Sequence, residues 1–265
     1  MNLWTQKSIE LAAQSNYLDQ LYRVYPMSIN LRRELSLETK KEIRVHLDNQ
    51  DGEKLLYVLL KQEIFPIKDS YVAYLKRDKT AIARNPATVS RLAGMLIEMG
   101  FDEILDKTTV PKETNRQIGP LFKNWIASGA LGVPVTDNVD EFLNYQGNIV
   151  FNAGDKAMEV FAKTHLGYQH NKGLDFIAKF NQTYIIGEAK FLTDVGGHQN
   201  AQFNDALATM RAPLAYSPYQ VKTIAILDGI LYIESRGKMF TELSSFTNDE
   251  VVVSAVLLRD YLFSV

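Results

Sequence analysis

The amino-acid sequence predicts a protein of the α/β (α+β) class, with a mixed central sheet flanked by helices and a mainly helical N-terminal region. Two apolar, β-prone runs, residues 175–180 and 183–191, flank Asn181-Gln182, a two-residue loop typical of a hairpin. Segments with apolar residues at helical spacing lie on either side of this hairpin, and others fill most of residues 1–110. Strands set between helices favour a sheet with helices packed against it.

The N-terminal region contains four segments with helical spacing: residues 4–21, 36–47, 53–60 and 85–100. Ser36 is the predicted N-cap of the second segment. The last has the clearest boundaries, with Asn85 as N-cap, Pro86 at the first helical position and Gly100 just past the end. Residues 82–100 are reminiscent of a helix-turn-helix, but a core-packing helix hairpin is the preferred interpretation.

A boundary is predicted near residue 110, because glycines and prolines mark irregular chain between 110 and 152. Beyond it, the pattern predicts a helix over 155–164, the hairpin, a helix over 199–210 and a strand over 223–227. Asp228-Gly229 predicts a second hairpin that returns through 230–234. Residues 248–262 favour a helix capped by Asn248, despite their valines.

The first hairpin brings together three charged residues. A two-residue turn places Phe180 opposite Thr183, so the same ladder places Asp175 opposite Glu188, with Cβ atoms roughly 5 Å apart. Lys190 lies two positions beyond Glu188, so strand alternation puts it on the same face. Two carboxylates at that separation repel by roughly 3 kcal/mol at an effective dielectric near 20, so a cation, a shared proton or Lys190 must offset the repulsion. The alternative is a structural ion-pair cluster at a strand edge.

The composition excludes several other kinds of chemistry. The 265 residues include no cysteine, which rules out disulfides, a thiol nucleophile and a zinc ribbon. The four histidines lack the spacing of a zinc protease or an HNH nuclease. No apolar run reaches the roughly 20 residues of a membrane helix and no secretory leader is visible, so we expect a soluble protein of the cytoplasm. The net charge of −2 disfavours a general, non-specific DNA binder, although residues 68–123 are locally basic.

An acidic residue entering a hairpin, followed after about a dozen residues by Glu188-Ala189-Lys190, resembles the PD-(D/E)XK nucleases. Leu174 stands where the proline of that motif would be, and Gly173 precedes it. The resemblance implies a restriction-endonuclease-like core over 111–265 and hydrolysis of phosphodiester bonds. It assigns Asp175, Glu188 and the Ala189 carbonyl to metal binding and Lys190 to catalysis; hard oxygen ligands favour Mg²⁺.

Further site residues follow from the same resemblance. Glu159 resembles an acid carried on the helix before the hairpin, although a solvated glutamate on a helix face explains it equally well. The segment after the Glu-x-Lys strand commonly approaches DNA in related enzymes, which nominates the polar side chains of His198, Gln199, Asn200 and Gln202. Capping and a polar helix face are the alternative. The run 112–125 is similar to a stretch ahead of the core in some restriction enzymes and nominates Arg116 and Lys123.

Within this superfamily, size and layout favour a type II restriction endonuclease that cuts double-stranded DNA. A palindromic site favours a homodimer, and such an enzyme implies a cognate DNA methyltransferase that is not stably bound. Residues 1–110 would then serve DNA clamping, recognition or dimerisation. A repair or recombination nuclease is the alternative within the superfamily. A non-catalytic DNA-binding protein is the alternative outside the enzymes.

Overall fold

The computed structural model describes residues 1–27, 32–111, 115–234 and 237–265, with Asn115 and Arg116 described by their backbone only. The chain forms two compact units, one of Met1–Ser28 with Thr114–Val265 and one of Ile29–Glu113. The division near 113 falls close to the boundary predicted at 110. In contrast to the predicted division, the first 28 residues belong to the unit that holds the sheet.

The described helices are α1 (Leu3–Ala12), α2 (Tyr17–Val24), α3 (Leu37–Asp48), α4 (Gly52–Leu60), α5 (Ser70–Arg77), α6 (Thr80–Arg84), α7 (Pro86–Thr108), α8 (Asn115–Ala127), α9 (Val139–Asn144), α10 (Asp155–His165), α11 (Gly197–Met210), α12 (Lys238–Ser245) and α13 (Leu258–Ser264). The described strands are β1 (Val135–Thr136), β2 (Ile149–Phe151), β3 (Phe176–Phe180), β4 (Thr183–Leu192), β5 (Gln220–Gly229) and β6 (Val251–Val253). Short 3₁₀ helices cover Ile230–Tyr232 and Ala255–Leu257.

The described strands form one mixed sheet in the order β1-β2-β3-β4-β5-β6. The pairs β2–β3 and β3–β4 are antiparallel, whereas β1–β2, β4–β5 and β5–β6 are parallel. Successive residues of β3 enter different apolar cores: Phe176 and Ala178 pack in one, and Ile177 packs in the other. Both faces of the sheet are therefore covered, which confirms the predicted fold class of a mixed sheet flanked by helices.

The predicted hairpin is confirmed in its register. Phe180 pairs with Thr183, and the ladder runs back to Phe176 opposite Gly187. Asn181 and Gln182 have φ angles of 47° and 68°, which is the pattern of a type I′ turn. This turn matches the right-handed twist of the strands, and the register holds without a slip from Phe180 back to Phe176.

The described part of the unit of residues 29–113 is helical, with its own apolar core built from α3, α4, α5, α6 and α7. Ser36 caps α3 as predicted, because its side chain accepts the Thr39 N–H at 3.0 Å. Gly100 interrupts α7 with a φ of 73°, in agreement with its predicted place past a helix end. The Asn85 side chain does not cap α7; it donates to the Ala81 carbonyl at 2.7 Å. In the other unit, the predicted helix over 4–21 breaks into α1 and α2.

Two predictions for the C-terminal part are wrong. Asp228-Gly229 does not turn a hairpin: β5 ends there, and a 3₁₀ helix follows. Gly229 has a φ of 100°, and a side chain on it would collide with the Leu192 backbone. Glycine therefore allows the end of β5 to lie close to the end of β4. The predicted helix from Asn248 is instead the buried strand β6, then a 3₁₀ helix and α13. Three valines suit a strand when β5 offers an edge to pair with.

Gly119-Pro120, read as irregular chain, lies inside α8. In the part of the chain that is described, no helix combines the length and the apolar character that crossing a membrane requires.

Candidate active site

The hairpin places the two predicted acids beside each other at the end of the β3–β4 ladder. The Asp175 N–H donates at 3.2 Å to the carbonyl of Gly187, the residue that pairs with Phe176 at the end of the ladder. The Ala189 N–H in turn donates to Asp175 Oδ2 at 3.0 Å. The Asp175 carboxylate is therefore fixed by the neighbouring strand. The paired ladder ends at Phe176 and Gly187, so Asp175 contacts Gly187 and Ala189 and does not form the predicted ladder pair with Glu188.

Three oxygens converge on the Lys190 ammonium. Its Nζ lies 2.5 Å from Glu188 Oε1 and 3.0 Å from Asp175 Oδ2. The same Nζ lies 3.1 Å from the Ala189 carbonyl. These three groups are the predicted metal ligands, so the ammonium supplies the cation that their mutual repulsion demands. The predicted convergence of two carboxylates and a lysine is thus present in the structure.

Burial strengthens the interactions among these charges. The Glu188 side chain is only 3% exposed. Its burial raises its pKa, as does the charge of Asp175, while Lys190 and Lys172 oppose that rise. Burial lowers the pKa of Lys190, but the carboxylates of Asp175 and Glu188 outweigh it and give a net rise. Lys190 is accordingly held in its charged form.

The chemistry of the donor set fits a hard divalent cation. Within the described residues, no group of three or more acids or histidines is placed to hold a metal. Two carboxylates and a backbone carbonyl are the available donors, and Mg²⁺ commonly completes such a sparse set with water and phosphate oxygens. Glu188 Oε2 is buried and has no hydrogen-bond partner, which leaves one acceptor free for a cation. The residues present therefore fit Mg²⁺.

Glu159 lies on α10 in an ion-pair cluster of its own. Lys163 Nζ reaches its Oε1 at 2.7 Å, and Lys156 Nζ reaches its Oε2 at 2.9 Å. Hydrogen bonds from Lys163 and Lys156 lower the pKa of Glu159. The structure therefore shows an ionised, almost fully buried glutamate whose partners are helix lysines, and a catalytic role for it stays a prediction.

The four polar residues nominated at the start of α11 do not share one environment. His198 and Gln202 are neighbours on the helix, with 3.2 Å between their Nε2 atoms, at an exposed position. Asn200 donates to a carbonyl of the preceding loop at 3.2 Å. Gln199 is only 5% exposed, and its Oε1 accepts the Thr193 N–H at 3.1 Å. His198 and Gln202 are thus open to a ligand, whereas Gln199 holds the loop after β4.

Lys123 and Arg116 were nominated from α8. The Lys123 ammonium donates to the Ala153 carbonyl at 2.9 Å and forms an ion pair with Asp155. This lysine joins α8 to the start of α10, and its contact with DNA stays a prediction. The side chain of Arg116 lies outside the described residues.

Sequence reasoning missed two residues that border the site. Lys172 Nζ lies 3.0 Å from Glu188 Oε1 and 3.1 Å from Asp205 Oδ2. Its position three residues before Asp175 was the only local signal. The buried Tyr168 hydroxyl is the second: burial raises its pKa, and the charges of Glu188 and Glu159 contribute to the rise.

A mixed sheet whose hairpin presents Asp175 and a Glu-x-Lys strand defines the class of nucleases with a restriction-endonuclease-like core. The particular family follows from the whole sequence: the model of the family described as Tsp45I type II restriction enzyme matches residues 2–265. The chain belongs to this family and is a type II restriction endonuclease, which cleaves DNA at specific sites. No protein of curated function and no solved structure matches the sequence.

Proposed function

We propose that this restriction endonuclease hydrolyses phosphodiester bonds of double-stranded DNA with Mg²⁺ held by Asp175, Glu188 and the Ala189 carbonyl. The observation that carries the proposal is the convergence of these three oxygens on one cation, the Lys190 ammonium, at 2.5–3.1 Å. A bound metal acidifies water and neutralises charge that develops on the phosphate oxygens.

The protein residues have distinct parts in the reaction. Asp175 is oriented by the Ala189 N–H, so one of its oxygens is fixed in place before any ligand arrives. Glu188 keeps a buried oxygen without a hydrogen bond, which suits it to a cation. Lys190 has a raised pKa, so it is a poor base. We assign it to orienting the attacking water and stabilising the negative charge of the phosphate.

Cleavage of plasmid DNA with and without Mg²⁺ tests this assignment. We expect discrete fragments with Mg²⁺, none with excess chelator, and none from the Asp175→Ala or Lys190→Ala proteins. Asp249→Ala removes an exposed acid from the same unit and serves as the matched control that should cut normally. Folded Asp175→Ala and Lys190→Ala proteins that cut at the wild-type rate would refute the site. Sequencing the fragment ends identifies the bases that are read and the position of the cut.

We further propose that the protein is a homodimer that acts on a palindromic site, because a two-fold DNA site favours a two-fold protein. We place this activity in the cytoplasm. The unit of residues 29–113 would clamp DNA, read bases or dimerise. Sedimentation of the protein alone tests the dimer: a monomer at micromolar concentration that stays monomeric on the cognate duplex argues against it. A methyltransferase for the same site predicts that host DNA resists cutting, while unmethylated DNA of the same sequence is cut.

A further inference from the structure

Lys172 is a second lysine on the buried carboxylate of Glu188. It precedes β3 in the chain and reaches Glu188 Oε1 at 3.0 Å, the same oxygen that Lys190 reaches at 2.5 Å. It also reaches Asp205 Oδ2 of α11 at 3.1 Å. Lys172 thus links the catalytic hairpin to α11, the helix that carries the exposed pair His198 and Gln202. It is not part of the Glu-x-Lys motif.

Lys172 forms ion pairs with two carboxylates but no well-aligned hydrogen bond. Its Nζ is buried, yet its contacts with Glu188 and Asp205 have ion-pair distances without hydrogen-bond geometry. A buried ammonium with unused N–H groups is costly, because each donor has lost water without gaining a directed acceptor. A phosphate oxygen would supply such an acceptor together with a negative charge.

The charges of the site also favour a phosphate as a ligand of Lys172. Lys172 and Lys190 carry two positive charges, and the carboxylates that hold them, Asp175, Glu188 and Asp205, carry three negative ones. Both lysines contact Glu188 Oε1, an oxygen of the proposed metal-binding carboxylate. These carboxylates become available to a divalent cation when the ammonium groups gain another anion. The DNA phosphate is the anion that the reaction brings.

We propose that Lys172 is a phosphate-binding residue of this active site, held by Glu188 and Asp205 in the free protein and transferred to a DNA phosphate when the substrate binds. The proposal rests on the proposed function, since it requires DNA at the Asp175–Glu188 site. It assigns to Lys172 a role in binding substrate and in freeing Glu188, which sequence reasoning did not assign to it.

The experiment compares wild type with Lys172→Met in two binding measurements that do not depend on cleavage. The first is affinity for a duplex carrying the cut sequence, with Ca²⁺, under conditions where the duplex stays intact, over a series of salt concentrations. Loss of one phosphate contact lowers the slope of log K against log salt by about 0.9. The second is Mn²⁺ binding without DNA, which we expect to tighten several-fold in the variant, because one positive charge beside Glu188 is gone.

Three further variants make the result specific. Lys172→Arg keeps the charge and should keep the wild-type salt slope. Lys222→Met removes the same charge from an exposed position. Lys222 lies near the start of β5, whereas Leu227, the strand partner of Lys190, lies near its end. This change should therefore alter neither measurement. Lys172→Gln repeats the test if the methionine variant does not fold.

A wild-type slope in both uncharged variants, or weaker Mn²⁺ binding in them, overturns the role of Lys172. That failure is distinguishable from failure of the proposed function, in which the wild-type protein itself would neither cut the duplex nor bind it with Ca²⁺.

Discussion

Stability of the sheet-containing unit should fall as Asp228 ionises. Asp228 is fully buried and accepts hydrogen bonds from Ser254 Oγ at 2.5 Å, Tyr25 Oη at 3.0 Å and the Ala255 N–H at 3.1 Å. Burial nevertheless raises its pKa from 3.8 to about 6. A folded-state pKa above the unfolded one favours folding of the protonated form. The stabilisation of the folded state by protonated Asp228 is therefore fully present below pH 3.8 and is lost as the pH rises through about 6.

The size of the effect follows from the shift. At about 1.4 kcal/mol per pKa unit, the free energy of unfolding of the wild-type protein should fall by up to about 3 kcal/mol relative to a form that cannot titrate. About 2 kcal/mol of this fall occurs between pH 4.5 and 7.5. Asp228→Asn is that form, because it is nearly isosteric with the protonated acid.

Urea unfolding followed by tryptophan fluorescence measures the difference. Trp4 and Trp125, the two tryptophans of the chain, both lie in the unit that holds Asp228. We expect the free energy of unfolding of wild type, relative to Asp228→Asn, to drop by about 2 kcal/mol from pH 4.5 to pH 7.5. A difference between the two proteins that stays constant over this range, or that changes in favour of wild type, would show that Asp228 is ionised throughout and refute the reasoning.

Two backbone positions give further predictions. Gln182→Gly should raise the free energy of unfolding by roughly 1 kcal/mol, since Gln182 has a φ of 68° and glycine adopts that region without strain; a loss of stability would contradict the type I′ turn. Gly229→Ala should lower it by roughly 3 kcal/mol, because the new methyl group meets the Leu192 backbone at a φ of 100°. Gly197→Ala is the matched control for the second change, since Gly197 has open space around it and no positive φ, and the change should be nearly neutral in the same urea titration.

The hairpin was predictable because its determinants are local. Alternation in β3 and β4, the turn at Asn181-Gln182 and the spacing from Asp175 to Glu188 all lie within a short stretch of chain, and the turn alone sets the register. The position of Lys190 then followed from strand periodicity. Nothing beyond sequence-adjacent pairing was needed to bring the three charged groups together.

The predictions that were wrong concern segments whose structure depends on contacts with distant parts of the chain. The valines of β6 form a strand because β5 provides a parallel edge, a pairing that no local pattern indicates. Asp228 resembled a turn residue, but its partners come from α2 and from the chain after β6. Lys172 was missed for the same reason, since its contact with Asp205 depends on where α11 packs. Local periodicity carries no information about such contacts.

The charge distribution of the chain also bears on how it would hold DNA. Asp175, Glu188 and Asp205 carry three negative charges against the two positive charges of Lys172 and Lys190, so the site itself offers no net attraction to a phosphate backbone. Affinity must then come from elsewhere, and the helical unit carries arginines such as Arg84 and Arg91 that are 61% and 44% exposed and paired with Asp78 and Asp69. Exposed ion pairs of this kind contribute at most about 1 kcal/mol, so exchanging the carboxylate for a phosphate costs little. A protein of near-neutral charge can thus exchange ion pairs that it already contains for contacts with DNA phosphates, which is what the proposed clamp in the helical unit requires.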